Sequence, residues 1–355
     1  MKRFLSIALC LTVAPLLAQE RFGALNGTVS DETGAVLPGV TVTLTHTSTH
    51  RVITAATRAD GVYSVRNIDP GRYSVKFELA RFATREFGEI DIPSGQTRKL
   101  DAKMTVGGGA TTVQVIGAVP MIETETALVT HSVPQQELER LPKSRTFQYL
   151  AITAPGVNAG EIEGGIQVNG ASSAENTFSI DGIATESAID GRSRQNAPPE
   201  HLEEIQIKTA GIEAAYGGSL GGIISAVTKS GGDAFHGNAW FYYDGASLSA
   251  SPERRLTLDP RDNRSVAYYQ DEQGRNNQFE PGFSLGGPIR KDMLYFFTSW
   301  SSRWTRQEQT FRFGNGADTG VISRDRTFMS GFNKISFTPT RRIRTNLSWL
   351  WTPAK

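Results

Sequence analysis

The last third of the chain alternates, and that alternation limits its fold more than any other feature. In "FEPGFSLGGPIR", Phe279, Pro281, Phe283, Leu285 and Ile289 fall on one face, and Glu280, Gly282, Ser284 and Arg290 on the other. "IRTNLSWLWTP" sets Ile343, Leu347, Trp349 and Trp351 against Arg344, Asn346 and Ser348. "MLYFFTSWSSRW" and "FMSGFNKISF" follow the same rule less cleanly. A period of two denotes a strand with one apolar face. A soluble sandwich and a membrane barrel both satisfy it, and the connections separate them. A long polar stretch lies between Asp244 and Phe279, only a turn between Ile289 and Met293, a long stretch between Trp304 and Phe328, and a short one from Thr338 to Arg342. Long and short connections in turn, between aromatic strands of ~10 residues, are the layout of a transmembrane antiparallel β-barrel.

About five strand candidates follow Gly232, whereas closed barrels of this kind have at least ~8 strands. The count predicts a C-terminally truncated fragment, with only the first strands of the barrel in 233–355. Open edges and lipid-facing aromatics have no bilayer-compatible fold without the remaining strands. On this reading Glu20–Gly232 folds in water, and Asp233–Lys355 aggregates or stays disordered alone.

The opposite end sets the compartment. Met1-Lys2-Arg3 is a short basic start, Phe4 to Leu17 is apolar, and Ala18 offers a small residue before Gln19. This predicts a signal peptide over 1–18, because the run is shorter than the ~20 apolar residues of a membrane-spanning helix. The lone cysteine, Cys10, lies inside that run, with Leu9 where a lipid-attachment site needs a small residue. Cleavage would leave a chain without disulfides. A net charge of +1 over 355 residues argues against a nucleic-acid surface.

Between these ends two further regions separate. From 22 to 105, "TVTLTH" alternates, and the turn dipeptides Asp60-Gly61 and Pro70-Gly71 are each followed by Tyr-Ser-Val. Short strands at such spacing predict a small β-sandwich. From 107 to 232 the pattern is mixed. The triplet Gly107-Gly108-Gly109 is a joint, and "TTVQVIG" is extended. "VPQQELERLP" is a short helix bounded by Pro134 and Pro142, and "GGIQVNGASSAENTFSIDG" gives two strands about a polar turn. "PPEHLEEIQIKTA" starts a short helix after Pro199 and becomes a strand at Ile205 and Ile207. This predicts an α+β unit with long loops. The chain as a whole is expected to be mainly β.

Several motifs invite a chemical reading. "AAYGGSLGGIISAVTKSGG" puts paired glycines before a Lys-Ser, but Lys229 follows Thr228 and an apolar run separates it from Gly222. A phosphate loop needs Gly-Lys-Ser/Thr between strand and helix, so the glycines are read as packing residues. "HLEE" contains His-x-x-Glu, without a further ligand cluster among five histidines. Asp181-Gly182 and Asp190-Gly191 lack a calcium-loop repeat and read as solvated turns. No nucleophile, base and acid assemble into a catalytic set, so no catalytic, cofactor-binding or metal residue is assigned. The chain is not read as an enzyme.

Taken in order, these segments resemble a TonB-dependent outer-membrane receptor of the Oar-like type, with a carboxypeptidase-regulatory-like domain in front. "GTVSDETGAVLPGVTVTL" with "TRADGVYSVRNIDPGRYSV" is similar to that regulatory-like, prealbumin-type sandwich, a module without peptidase activity. "FSIDGIATES", "EEIQIKTAGIEAAYGG" and "GGIISAVTKSGGDAFHG" are similar to the plug and its exit into the barrel, and "GFSLGGPIRKDMLYFFTSW" to the first barrel hairpin. The resemblance implies residence in the outer membrane of a Gram-negative bacterium, and uptake of an unidentified extracellular cargo: an oligosaccharide, a peptide or a metal chelate. It also implies the C-terminal domain of TonB as periplasmic partner and outer-membrane lipid as surroundings. Thr112, Val113, Gln114, Val115 and Ile116 are similar to the TonB box, which adds as a strand to the partner. Gln114 is less apolar than the commonest pattern, and a plain linker strand is the alternative. Gly217, Gly218, Gly221 and Gly222 would form the turn that closes the plug and lets its backbone lie against the barrel wall. A surface adhesion or structural β-module protein without transport is the alternative function, and a secreted zinc peptidase a third.

Overall fold

The computed structural model describes residues 22–107, 113–115, 129–140, 146–160, 165–187, 189, 191, 193–212, 219–251, 253–258, 264–270, 274–312, 319–340 and 343–353. The expected signal peptide over 1–18 with Cys10, and Asp190, lie outside the described residues.

The first eight strands build a sandwich. They are β1 (Gly23–Asp31), β2 (Thr41–His46), β3 (Val52–Ala56), β4 (Val62–Ile68), β5 (Gly71–Glu78), β6 (Arg85–Ile92), β7 (Thr97–Lys99) and β8 (Ala102–Met104). One sheet runs β4-β1-β7, with β8 also on β1, and the other β3-β2-β5-β6. The period-two pattern decides which residues go inside: Val42 and Leu44 are fully buried between exposed or half-buried threonines. The two Tyr-Ser-Val repeats send Tyr63 and Tyr73 into the core, where Tyr63 meets Phe77 edge-on at 5.6 Å. Each phenol needs a partner there. Tyr63 donates to the Leu100 carbonyl at 2.7 Å and Tyr73 to that of Asp69 at 2.8 Å. Gly61 takes φ +70°, and a Cβ there would lie 2.7 Å from Cβ of Val36, so this turn admits only glycine.

A three-residue strand, β9 (Val113–Val115), follows the glycine joint. Next come β10 (Val129–Pro134), β11 (Val157–Ala159), β12 (Ile166–Val168), β13 (Thr177–Ile180), β14 (Ile183–Ala184), β15 (Leu202–Ala210) and β16 (Ile223–Thr228). The mixed sheet β10-β15-β16-β13-β14 packs Val133, Phe178, Ile205, Ile207 and Ile224 against Phe147 and Leu150 of a short helix. The helix Gln135–Arg140 starts directly after Pro134, and Pro199 opens a 3₁₀ turn before β15.

The third unit is a single antiparallel sheet: β17 (His236–Gly245), β20 (Arg275–Arg290), β21 (Leu294–Arg312), β22 (Thr319–Thr340) and β23 (Ile343–Trp351). A small hairpin, β18 (Arg255–Leu258) with β19 (Val266–Tyr269), interrupts the long polar stretch after Asp244. Among the described residues β17 and β23 are the two edges of this sheet. β21 and β22 have 19 and 22 residues, about twice the expected ~10. The stretch between Trp304 and Phe328 is therefore not simply a loop, since pairing continues to Arg312↔Thr319. Its sequence is mostly polar, and Val321 and Ile322 are adjacent instead of alternating, so hydrophobic periodicity does not register it.

The polarity of this sheet is inverted relative to a soluble protein. Phe283, Leu347 and Trp349 are exposed, Trp349 by 68%, while Glu280, Ser284, Ser299, Ser301, Ser330, Lys334 and Ser336 are buried. Polar residues face the protein and apolar ones face outward, which suits hydrocarbon and not water. The expected barrel strands are present, and the alternation that also fitted a soluble sandwich is resolved in favour of an outer-membrane sheet.

Candidate functional site along the plug seam

The central α+β unit lies against the inner face of the long-stranded sheet, and a buried ion pair joins them. Asp181 ends β13 in the left-handed region at φ 50°. One of its oxygens accepts from the Thr228 amide at 3.0 Å, and the other from the Thr228 hydroxyl at 2.6 Å and from Lys334 Nζ at 3.1 Å. Lys334 Nζ also donates to the Thr228 hydroxyl at 2.7 Å and carbonyl at 3.2 Å, so all three ammonium protons are placed. Two residues along β22, Phe332 packs on His201, and two further, Ser330 Oγ lies 3.0 Å from His201 Nε2. The solvated turn expected at Asp181 is thus incorrect: Asp181 is 9% exposed and Lys334 1%. The local sequence of Asp181-Gly182 is that of a surface turn, and the cation from β22 with the Thr228 donors compensates its burial.

A second contact joins the sandwich to β15. Glu204 is 3% exposed, accepts from the Ser94 amide at 2.9 Å with one oxygen and contacts the Ser132 hydroxyl with the other. Gln206, two residues along the same face, donates to the Ser94 carbonyl. Burial pushes the Glu204 carboxyl up to about 7. The hydrogen bonds from Ser132 and Ser94 pull it down, and the carboxylates of Asp91 and Glu203 raise it further. Beside it a cavity of about 60 Å³ is lined by His46, Arg72, Asp91, Glu203 and Glu204 among others. His201 and Glu204, the His-x-x-Glu pair, therefore face different neighbours. Among the described residues no group of His, Cys, Asp or Glu is placed to hold a metal.

A third contact joins the sandwich to the short-turn end of the sheet. Asp69 accepts from Arg51 at 3.1 Å and from Arg344 of β23 at 2.6 Å. The Asp233 amide donates to the Thr49 carbonyl at 2.9 Å, and Tyr295 donates to the Asp233 carboxylate at 2.9 Å.

At the long-hairpin end a cavity of about 350 Å³ opens between the α+β unit and the sheet. It is lined by Thr146 and Asn196 on one side and by Asn276, Gln278, Arg303 and Arg326 on the other. Thr146 Oγ1, Asn196 Oδ1 and Asn276 Oδ1 are buried without a hydrogen-bond partner. Unsatisfied groups of this kind hold free energy that a polar ligand releases on binding.

The residues singled out from the sequence fall as follows. Thr112, Ile116, Gly217 and Gly218 lie outside the described residues. Val113, Gln114 and Val115 form β9, paired with β6 of the sandwich. Gly221 and Gly222 do make close approaches, but not to the barrel wall. Added Cβ atoms would meet Asn176 Oδ1 at 2.4 Å and the Val168 side chain at 2.8 Å, both within the α+β unit. The reason is that Gly222 passes directly over β12 to enter β16. The glycine that does meet the wall is Gly231, whose Cβ would lie 2.2 Å from the Phe296 carbonyl. Lys334, Asp69 and Arg344 carried no sequence signal beyond a lone charge in an otherwise apolar or turn segment.

Residues 24–105 match the family described as carboxypeptidase regulatory-like domain, 123–223 the TonB-dependent receptor plug domain, and 227–315 an outer membrane beta barrel domain. Among characterised proteins the chain is 28% identical over 280 residues to the TonB-dependent transporter Oar of Myxococcus xanthus. That alignment covers 76% of this chain and 26% of the transporter, so the chain spans about a quarter of its relative's length. Solved structures similar to it include the siderophore receptor PirA from Acinetobacter baumannii, at 17% identity and TM-score 0.42, covering 62% of this chain and 30% of that one. The outer membrane transporter YddB from Escherichia coli aligns at 18% identity and TM-score 0.47, covering 63% of this chain and 33% of that one.

Proposed function

We propose that this chain, which carries the regulatory-like, plug and barrel domains of a TonB-dependent outer-membrane receptor, serves uptake of a polar nutrient across the outer membrane of a Gram-negative bacterium. The observation that carries the reading is the inverted sheet with a plug fastened to its polar face through Lys334 and Asp181. An adhesion or structural module has no need of a folded unit locked inside an outward-apolar sheet.

Cargo enters from the side of the long hairpins, where the cavity between Thr146, Asn196 and Arg303 offers amides, hydroxyls and guanidinium groups. That lining suits hydroxyl- or carboxylate-bearing cargo: an oligosaccharide, a peptide or a metal chelate with exposed oxygens. The plug blocks the lumen until periplasmic TonB pulls on the segment Thr112–Ile116, adding it as a strand to its own sheet. The role is transport, not catalysis.

The test uses the receptor containing this chain in its outer membrane. Uptake of labelled oligosaccharides, peptides and metal chelates is compared between parent, deletion and Val115→Pro strains. Loss of one cargo in both altered strains is the expected result, because proline removes a ladder donor. Residence in the outer membrane with unchanged uptake of every cargo would favour the adhesion reading instead.

A further inference from the structure

The regulatory-like sandwich has an edge that is already occupied. β6 pairs antiparallel with β5 on one side, and on the other it pairs in parallel with β9, in the register Arg85↔Val113, Glu86↔Gln114 and Phe87↔Val115. The approach to this edge is held too. The Ala83 amide donates to the Thr105 carbonyl at 2.9 Å, and the Gly107 amide to the Arg81 carbonyl at 3.1 Å. Chain leaving the sandwich therefore runs back along Arg81–Ala83 before β9 takes its place.

We propose that the edge of β6 is the resting berth of the segment Val113–Val115, and that TonB binds this segment only after displacing it from the sandwich. The inference rests on the reading of Thr112–Ile116 as the partner-binding strand.

Three observations support competition over simultaneous binding. The first is the face. Strand addition draws its affinity from backbone hydrogen bonds and its specificity from pockets that take alternate side chains. Positions 113 and 115 share the sheet face of Arg85 and Phe87, and Phe87 belongs to the sandwich core. A partner that adds a strand along this segment therefore competes for the backbone edge that β6 already uses. The second is strength. Three residues in parallel pairing, the less stable arrangement per residue, give a berth that a longer strand addition overcomes. The third is reach. The sandwich is fastened to the sheet by Asp69 with Arg344 and to the plug by Ser94 with Glu204. A berthed segment stays at that surface. A released one is held only through the chain that joins it to Gly107 and to Val129, whose residues can span at most ~3.6 Å each.

The test places cysteines at the opposed positions 86 and 114 of the full chain, in a Cys10→Ser background. Facing positions on neighbouring strands fall within the Cα separation of about 4.4–6.8 Å that a disulfide spans. The variant Glu86→Cys/Gln114→Cys is purified in detergent, and the isolated C-terminal domain of TonB is titrated into its oxidised and reduced forms. The expected result is a disulfide that forms readily, binding at least about tenfold weaker (~1.4 kcal/mol) when oxidised, and parent affinity on reduction. Equal affinity in both forms would overturn the competition. Failure of the disulfide to form, with both thiols open to maleimide, would overturn the berth while leaving partner binding to stand. A disulfide that forms in a chain that binds the TonB domain in neither form would remove the partner reading, and the competition with it. Hydrogen exchange on the unsubstituted chain checks the berth without cysteines. Slow exchange at 113–115 supports it, and exchange at the rate of an open chain refutes it.

Discussion

At the residue scale, two buried charges set what the chain tolerates. Lys334 sits on the inner face of β22 with every proton bonded, and its ammonium pairs with the Asp181 carboxylate at 3.1 Å. Removing one partner of such a pair strands the other, at a cost of about 3–5 kcal/mol. Lys334→Ala is expected to lower the melting temperature of the detergent-solubilised chain well below that of Lys334→Met/Asp181→Asn, in which no carboxylate is left unpaired. Equal melting of the two variants would show that the pair is not the fastening. Glu204 is the second case. Its carboxyl stands at about 7 in the folded chain against an ordinary value of 4.5, so the folded state holds a proton that the unfolded state releases. Its contribution is fully present below pH 4.5 and is lost as pH rises through about 7, a decline of roughly 3 kcal/mol across that window. Asp91, raised by its own burial, adds a slope of the same sign. Melting from pH 4 to 8 should show this decline, and Glu204→Gln should flatten most of it. Neither charge was legible in the sequence. A carboxylate or lysine gains its meaning from a partner more than a hundred residues away, and local pattern carries no record of that partner.

At the element scale, legibility followed apolar content. β2, β5, β20 and β23 have one apolar face each, and their alternation marks them whether that face meets a core or a bilayer. The outer halves of β21 and β22, from Arg306↔Asp325 to Arg312↔Thr319, are mostly polar, with Val321 and Ile322 adjacent instead of alternating, and backbone pairing joins them with the Arg306–Asp325 ion pair. Such strands leave no periodic trace. β9 was legible as an extended segment, but its docking on β6 was not, because parallel pairing of three residues depends on where the sandwich edge lies and not on the segment itself. The faces also predict how substitutions divide. Phe283 is 51% exposed on the outer face, and Ser284 beside it is buried on the inner one. An arginine at a mid-membrane outer position costs about 2–4 kcal/mol, so in a receptor that contains this chain with a closed barrel Phe283→Arg should reduce insertion into liposomes, while Phe283→Leu should not. Unchanged insertion of the arginine variant would mean that this face does not meet lipid.

At the scale of the whole molecule, the sandwich is not a free appendage. Asp69 lies between Arg51 of its own domain and Arg344 of β23, Thr49 accepts from the Asp233 amide, and Ser94 engages both Glu204 and Gln206. A carboxylate shared by two guanidinium groups, each side chain less than a fifth exposed, is screened less than a surface pair. Arg344 also stacks on Phe22, 5.2 Å from the ring, so the first described residue of the sandwich is held by the same side chain. If these contacts fasten the sandwich to the receptor, Asp69→Ala should loosen it without unfolding it, because its core of Leu25, Tyr63, Val75 and Phe77 lies elsewhere. The expected outcome is a parent that melts in one transition and an Asp69→Ala chain that melts in two, with faster proteolysis between the sandwich and the plug. Arg344→Ala should reproduce that behaviour, since it removes the other half of the same contact. Arg51→Ala should do so more weakly, because Arg344 still spans the interface. Proteolysis unchanged in all three would mean that the Ser94 contacts with the plug hold the sandwich without help from Asp69.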